Sequence, residues 1–126
     1  MPNRILIAED DEDTRDLVAF VIKRSQLDIE LLTAENGKEA VEIARREKPE
    51  LILMDMQMPV MDGFQATQTI KADPSIRHVP VVAFTAQAKP EDKIRTLAIG
   101  CVEHCSKPID PEDLLNVVKK YLKTTL

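Results

Sequence analysis

The sequence has few of the residues that mark disulfide-rich, fibrous or unstructured chains. Only 2 of its 126 residues are cysteine and 3 are glycine, tryptophan is absent, and aromatic residues make up 3% of the chain. So little glycine excludes a collagen-like chain, and two cysteines cannot form a disulfide framework. Hydrophobic residues make up 44% of the chain and charged residues 31%, a composition that predicts a compact globular protein.

The sequence also lacks long hydrophobic runs and an excess of positive charge. Its apolar runs are far shorter than the ~18 residues of a membrane-spanning helix, and the N-terminus has no pattern of a secretion signal. The formal net charge is −5, which argues against broad nucleic-acid binding, because such binding needs a dense basic surface. We expect one domain over residues 1–126, in the cytoplasm, contacting neither nucleic acid nor membrane.

Cys101 and Cys105 both fall in the predicted strand over 101–106. Strand residues four apart share a face but lie roughly 13 Å apart, which is too far for a disulfide. A metal site would need further ligands. We therefore expect both side chains to be buried on one face as small apolar residues, which suits a reducing compartment.

Short apolar runs alternate with segments of helical periodicity along the chain. The predicted strands are 4–8, 29–34, 51–55, 79–84 and 101–106, and the helices include 64–72 and 91–99. Asn36 and Asp110 are predicted N-terminal caps, and Gly100 is a predicted C-terminal stop. The alternation predicts a parallel sheet covered by helices on both faces.

Polar residues follow four of the predicted strands. Glu9 and Asp10 follow the first strand, Asp55 ends the third, and Thr85 and Lys107 follow the fourth and fifth. Right-handed crossovers bring the carboxyl ends of parallel strands to one edge, where such sheets bind ligands. The sequence therefore predicts a crevice with several carboxylates, a hydroxyl and an ammonium.

Carboxylates that share a crevice repel one another unless a cation compensates them. Mg2+ binds oxygen ligands and often retains waters and a phosphate oxygen. An aspartate beside such an ion can be a nucleophile toward phosphorus, because phosphoryl transfer depends chiefly on positioning and charge neutralisation. We expect Asp55 to be this nucleophile, with Thr85 and Lys107 neutralising charge.

Some acids have a simpler interpretation. Asp11, Glu12 and Asp13 complement the positive end of a predicted helix, and Asp62-Gly63 is interpreted as a turn and cap rather than as a ligand site.

The motifs together resemble the receiver domain of bacterial response regulators, over about residues 3–123. The family pattern is present in order: Glu9-Asp10, Asp55, a Met-Pro-x-Met-Asp-Gly loop at 58–63, Thr85-Ala86 and Lys107-Pro108. One such motif is weak evidence, whereas the ordered series is specific. The resemblance implies a flavodoxin-like, doubly wound (βα)5 fold with a parallel sheet of order 2-1-3-4-5. It also implies a phosphoacceptor in two-component phosphorelay signalling, rather than an enzyme.

The resemblance implies a role for each matching residue. The ligands of Mg2+ would be Glu9, Asp10, Asp55 and the backbone carbonyl of Gln57. Asp55 would accept the phosphoryl group, and Thr85 and Lys107 would contact that group. The peptide bond before Pro108 would be cis.

Phosphorylation acts as a switch in this family. Thr85 would move toward the phosphoryl group, an aromatic residue of the fifth strand would turn inward, and the surface of the last two helices would change. The matching residue is His104, which departs from the pattern; an imidazole buries less apolar area and can be partly charged near neutral pH. Gln57 and Gln87 occupy positions that tune the lifetime of the phosphate.

A histidine kinase or a phosphotransfer protein would donate the phosphoryl group, and a downstream protein would read the changed surface of a monomer or weak dimer. Two alternatives stay open. One is a pseudo-receiver, a docking module that takes no phosphate. The other is an aspartyl-phosphate hydrolase, whose usual signature has an aspartate where this chain has Gln57.

Overall fold

The computed structural model describes residues 3–86 and 89–122. Five strands and five helices alternate within these residues. The strands are β1 (Asn3–Ala8), β2 (Ile29–Ala34), β3 (Leu51–Asp55), β4 (Val81–Thr85) and β5 (Glu103–Ser106). The helices are α1 (Glu12–Arg24), α2 (Gly37–Glu47), α3 (Gly63–Ala72), α4 (Pro90–Ala98) and α5 (Pro111–Tyr121).

The strands form one parallel sheet in the order β2-β1-β3-β4-β5, which confirms the predicted fold and strand order. Every residue of β3 and β4 is buried, as is expected for central strands that have helices on both faces. The register pairs Ala8 with Met54 and Asp55 with Phe84. The carboxyl ends of the central strands are therefore level with one another at one edge.

Two hydrophobic cores lie on the two faces of this sheet. Successive residues of β1 contribute to the two cores in turn, because successive side chains of a strand point to opposite faces. Leu6 and Ala8 pack beneath α2 and α3, whereas Ile5 and Ile7 pack beneath α1 and α5. Among the described residues, no helix is long and apolar enough to cross a membrane.

Side-chain caps fix where four of the helices begin. Each cap accepts a hydrogen bond from a backbone N–H of the first helical turn: Asp11, Asn36, Asp62 and Asp110. These N–H groups have no partner within the helix. The caps predicted at Asn36 and Asp110 are confirmed, and so is the simpler interpretation of Asp11 and Asp62. Gly100 follows α4 with a φ of 109°, in agreement with its predicted role as a stop.

The start of β5 corrects one prediction. β5 begins at Glu103, and the N–H of Cys101 instead donates to the carbonyl of Thr96 at the end of α4. The alternation of a strand therefore does not extend to Cys101. Cys101 is buried in the core beneath α2 and α3, whereas Cys105 packs, half-buried, against the other core. The expectation that the two thiols share one face was wrong, although both are free, as expected.

Gly63 begins α3 directly against the end of β3. Its N–H donates to the carbonyl of Met56 at 3.1 Å. A Cβ at this position would overlap the backbone of Asp55 and Met56. Glycine is therefore the residue that lets α3 begin this close to Asp55.

We expect Gly63→Ala to lower the free energy of unfolding by about 2–4 kcal/mol, because the overlapping atoms belong to the backbone and cannot turn aside. Urea unfolding followed by circular dichroism measures the change. Gln68→Ala, on the exposed side of the same helix, is the control and should stay within about 0.5 kcal/mol of the wild type. Wild-type stability in Gly63→Ala would contradict the close approach.

Candidate functional site

The carboxyl edge of the sheet brings the predicted polar residues together. Glu9 directly follows β1, and its N–H extends the ladder to β2 by donating to the carbonyl of Ala34 at 2.9 Å. Asp55 is the last residue of β3 and Thr85 the last residue of β4. Lys107 follows β5, and its N–H donates to the carbonyl of Thr85 at 2.9 Å. Backbone pairing therefore places all four side chains at one crevice.

The ammonium of Lys107 lies between two buried carboxylates. Its Nζ is 2.5 Å from Oε1 of Glu9 and 3.2 Å from Oδ2 of Asp55. The side chains of Glu9 and Asp55 are only 1% and 4% exposed. A buried carboxylate without a partner is strongly destabilising, so this shared ammonium is what makes both carboxylates tolerable in the fold.

The backbone after each strand holds the remaining carboxylate oxygens. Oε2 of Glu9 accepts from the N–H of Asp11 at 3.3 Å, and Oδ1 of Asp55 accepts from the N–H of Gln57 at 3.1 Å. The side chain of Asp10, by contrast, is exposed to solvent. Carboxylate oxygens of Glu9, Asp10 and Asp55 lie within 4.8 Å of one another. The crevice therefore has a buried floor and one acid at its open side.

One ammonium does not balance three carboxylates. Burial raises the pKa of the Glu9 carboxyl, the neighbouring Asp55 raises it further, and Lys107 opposes both effects. Burial alone would lower the pKa of Lys107, but its contacts with Glu9 and Asp55 outweigh that effect and raise it. When all three carboxylates are ionised, two negative charges lack a compensating cation, and all the donors are oxygens. Both properties fit a hard dication such as Mg2+.

Sequence reasoning missed a second layer of the site. Nη1 of Arg15 donates to the backbone carbonyl of Glu9 at 2.7 Å, and Nη2 lies 3.8 Å from Oε1 of Glu35. The available signal was a basic residue near the start of α1, where the helix dipole disfavours positive charge. A basic residue at this unfavourable position indicates that its side chain has a specific hydrogen-bond or ion-pair partner.

The loop between β3 and α3 borders the open side of the crevice. The N–H of Met61 donates to the carbonyl of Pro59 at 2.7 Å, which closes a tight turn. Val60, at its centre, has a φ of 68°, an uncommon value for a β-branched residue. The guanidinium of Arg95 in α4 stacks over the ring of Phe64 at 3.7 Å. This stacking joins α4 to the helix that follows the loop.

Thr85 and His104 lie on neighbouring strands. Thr85 is buried at the end of β4, and His104 is half-buried on β5, where it pairs with Ala83. Burial and the charge of Lys93 lower the pKa of His104, while Asp92 opposes the change. The surroundings of the imidazole therefore favour its neutral form. Gln87, the second of the two glutamines singled out in the sequence, lies outside the described residues.

The chain matches known proteins over nearly its full length. Residues 5–119 match the family model described as the response regulator receiver domain. The chain is 38% identical over 122 residues to the polar-differentiation response regulator DivK of Brucella anthropi, covering 97% of this chain and 98% of that protein.

Solved structures agree with this match. The chemotaxis protein CheY4 of Vibrio cholerae has a TM-score of 0.86 at 27% identity, covering 97% of this chain and all of that one. The receiver domain of the sensor histidine kinase PA1611 from Pseudomonas aeruginosa has a TM-score of 0.88 at 27% identity, covering 98% of this chain and all of that one. That structure has a magnesium ion coordinated in its active-site cleft.

The fold and the crevice define a doubly wound sheet protein with an acidic site at a switch point of the sheet. The chain belongs to the response regulator receiver domain family. It is a receiver domain of two-component signalling. Receiver domains act as signalling switches. The hydrolase alternative finds no support in these comparisons.

The lowered pKa of His104 predicts a pH dependence of stability. The unfolded chain binds a proton at the ordinary pKa of 6.5, while the folded imidazole resists protonation. The contribution of His104 to the free energy of unfolding therefore falls as the pH drops through about 6.5. His104→Phe removes this contribution, so the difference in stability between about pH 7.5 and pH 5.5 should be smaller in the variant than in the wild type.

Urea unfolding at the two pH values measures this difference. An identical pH dependence in His104→Phe and the wild type would show that burial does not affect the imidazole as described.

Proposed function

We propose that the chain accepts a phosphoryl group on Asp55 from a histidine kinase or phosphotransfer protein, in a reaction that requires Mg2+. The observation that carries the proposal is the position of the Asp55 carboxylate. It is buried at the end of a central strand, 3.2 Å from the Lys107 ammonium and beside the carboxylates of Glu9 and Asp10. A purely structural role does not explain a third carboxylate beside two that already share one ammonium.

The proposed ligands of Mg2+ are the carboxylates of Asp10 and Asp55, the backbone carbonyl of Gln57, and Glu9 either directly or through water. When bound, the ion would neutralise charge on the carboxylates and on the phosphoryl oxygens. One contact supports this set: the N–H of Gln57 donates to Oδ1 of Asp55 at 3.1 Å, which keeps the backbone of Gln57 beside the Asp55 carboxylate.

An oxygen of Asp55 would attack phosphorus as the bond from phosphorus to the donor nitrogen breaks, and that nitrogen would keep the electron pair. The ammonium of Lys107 already contacts Asp55, so it is close enough to contact the phosphoryl group once that group is bound to Asp55. In the acyl phosphate one Asp55 oxygen is used in the new bond, and Lys107 would then pair with a phosphoryl oxygen. Such charge-assisted contacts are about twice as strong as neutral ones.

We further propose that Thr85 moves to donate a hydrogen bond to the phosphoryl group. The imidazole of His104 would then turn inward toward the space that Thr85 leaves. A neutral imidazole, favoured by the lowered pKa of His104, costs less to turn inward than a charged one. The responding surface would include α4, on which Ile94 and Leu97 are exposed. A downstream protein would bind this surface, with the chain in the cytoplasm as a monomer or weak dimer.

Asp55→Asn should abolish phosphorylation by acetyl phosphate, because an amide oxygen is a poor nucleophile. Intact-mass spectrometry should show one added phosphoryl group on the wild type with Mg2+ and none with a chelator. Asp62→Asn is the matched control, since it makes the same change in the neighbouring loop and asparagine also caps a helix. It should be phosphorylated like the wild type.

The outcomes separate the proposals. An adduct that Asp55→Asn retains would place the phosphoryl group on another residue. An absence of adduct on the wild type, with acetyl phosphate and with phosphorylated histidine kinase as donors, would favour the pseudo-receiver docking module instead.

A further inference from the structure

Arg15 holds the backbone at the point where the chain leaves β1 and enters the acidic crevice. Its Nη1 donates to the carbonyl of Glu9 at 2.7 Å, and this carbonyl belongs to the peptide unit between Glu9 and Asp10. The side chain of Arg15 is only 17% exposed, and Glu35 supports it from the other side. A guanidinium so placed is an anchor for that peptide unit rather than a solvated surface charge.

The two acids on either side of this peptide unit are held in different ways. Every polar group of Glu9 has a described partner: its N–H, its carbonyl, Oε1 and Oε2 contact Ala34, Arg15, Lys107 and Asp11, respectively. Within residues 3–86 and 89–122, no side chain or backbone group holds the carboxylate of Asp10. The position of that carboxylate therefore depends on the backbone from which it projects.

We propose that Arg15 is a positioning residue of the cation site: by fixing the Glu9–Asp10 peptide unit, it presents the Asp10 carboxylate to the divalent cation. This inference rests on the metal role proposed above. Arg15 touches neither the cation nor the phosphoryl group. It acts through the backbone, as outer partners of metal ligands commonly do.

The charge of Arg15 acts on cation binding with the opposite sign to its hydrogen bond. A positive charge near the crevice repels Mg2+, so its removal alone would tighten binding. The hydrogen bond keeps Asp10 in place, so its loss would weaken binding. Loss of an outer partner typically reduces metal affinity about 10–100-fold, and we expect this effect to exceed the effect of charge. The sign of the change therefore distinguishes positioning from electrostatics.

The test is a titration of the whole chain with Mg2+, followed by backbone amide chemical shifts. The wild type is compared with Arg15→Met, which keeps an unbranched stem and loses the donors and the charge. The matched control is Arg24→Met, which makes the same change on the exposed end of the same helix, where Arg24 stacks on Phe20. We expect the dissociation constant to rise about tenfold in Arg15→Met and to stay near the wild-type value in Arg24→Met.

Tighter binding of Mg2+ by Arg15→Met would overturn the inference, because it would leave only the charge of Arg15. Unchanged binding with a lower melting temperature would also overturn it, because Arg15 would then serve stability alone. A wild type that binds no Mg2+ at the crevice would overturn the proposed metal role as well, so the two failures are distinguishable. If Arg15→Met does not fold, Arg15→Gln replaces it, because its shorter side chain ends before the guanidinium position. A higher dissociation constant for Mg2+ in Arg15→Gln supports the inference, and a lower or unchanged one overturns it.

Discussion

The contact on which the site depends is the ammonium of Lys107 between Glu9 and Asp55. Two carboxylates at the end of central strands would repel each other and would each be costly to bury. Lys107 compensates one of them, at 2.5 Å from Glu9 and 3.2 Å from Asp55. The charge that is left uncompensated fits a hard dication in the crevice, and in the proposed reaction an ionised Asp55 would need no additional base.

The parallel sheet brings the residues of this contact together, because the carboxyl ends of its strands lie at one edge. The last four residues of β1 and all residues of β3 and β4 are buried, and the apolar runs of β3 and β4 end directly before Asp55 and Thr85. The sheet is therefore buried up to the edge at which the acids lie. Gly63 then allows α3 to start against the backbone of Asp55, and Arg15 ties α1 to the carbonyl of Glu9. Helices on both faces thus constrain the same few residues of the crevice.

Much of this arrangement could be predicted from the sequence, because its signals are local. Continuous apolar runs predicted the central strands, and Asn36 and Asp110 are caps whose chemistry is readable in one turn of helix. The start of β5 was not predictable in the same way. Cys101 continues an apolar run, yet its N–H completes the turn that ends α4, and hydrogen-bond partners of this kind depend on the folded chain. Arg15 was missed because its partner is a backbone carbonyl: a basic residue near the start of α1 is visible in the sequence, but its partner is not.

The most direct test of the account is a crystal structure grown with Mn2+, which prefers the same oxygen ligands as Mg2+ and can be located by its anomalous scattering. The account predicts one ion in the crevice, roughly 2.1 Å from oxygens of Asp10, Asp55 and the Gln57 carbonyl, with Lys107 still in contact with Glu9. An ion bound away from Asp55, or a crevice without an ion at saturating Mn2+, would contradict it.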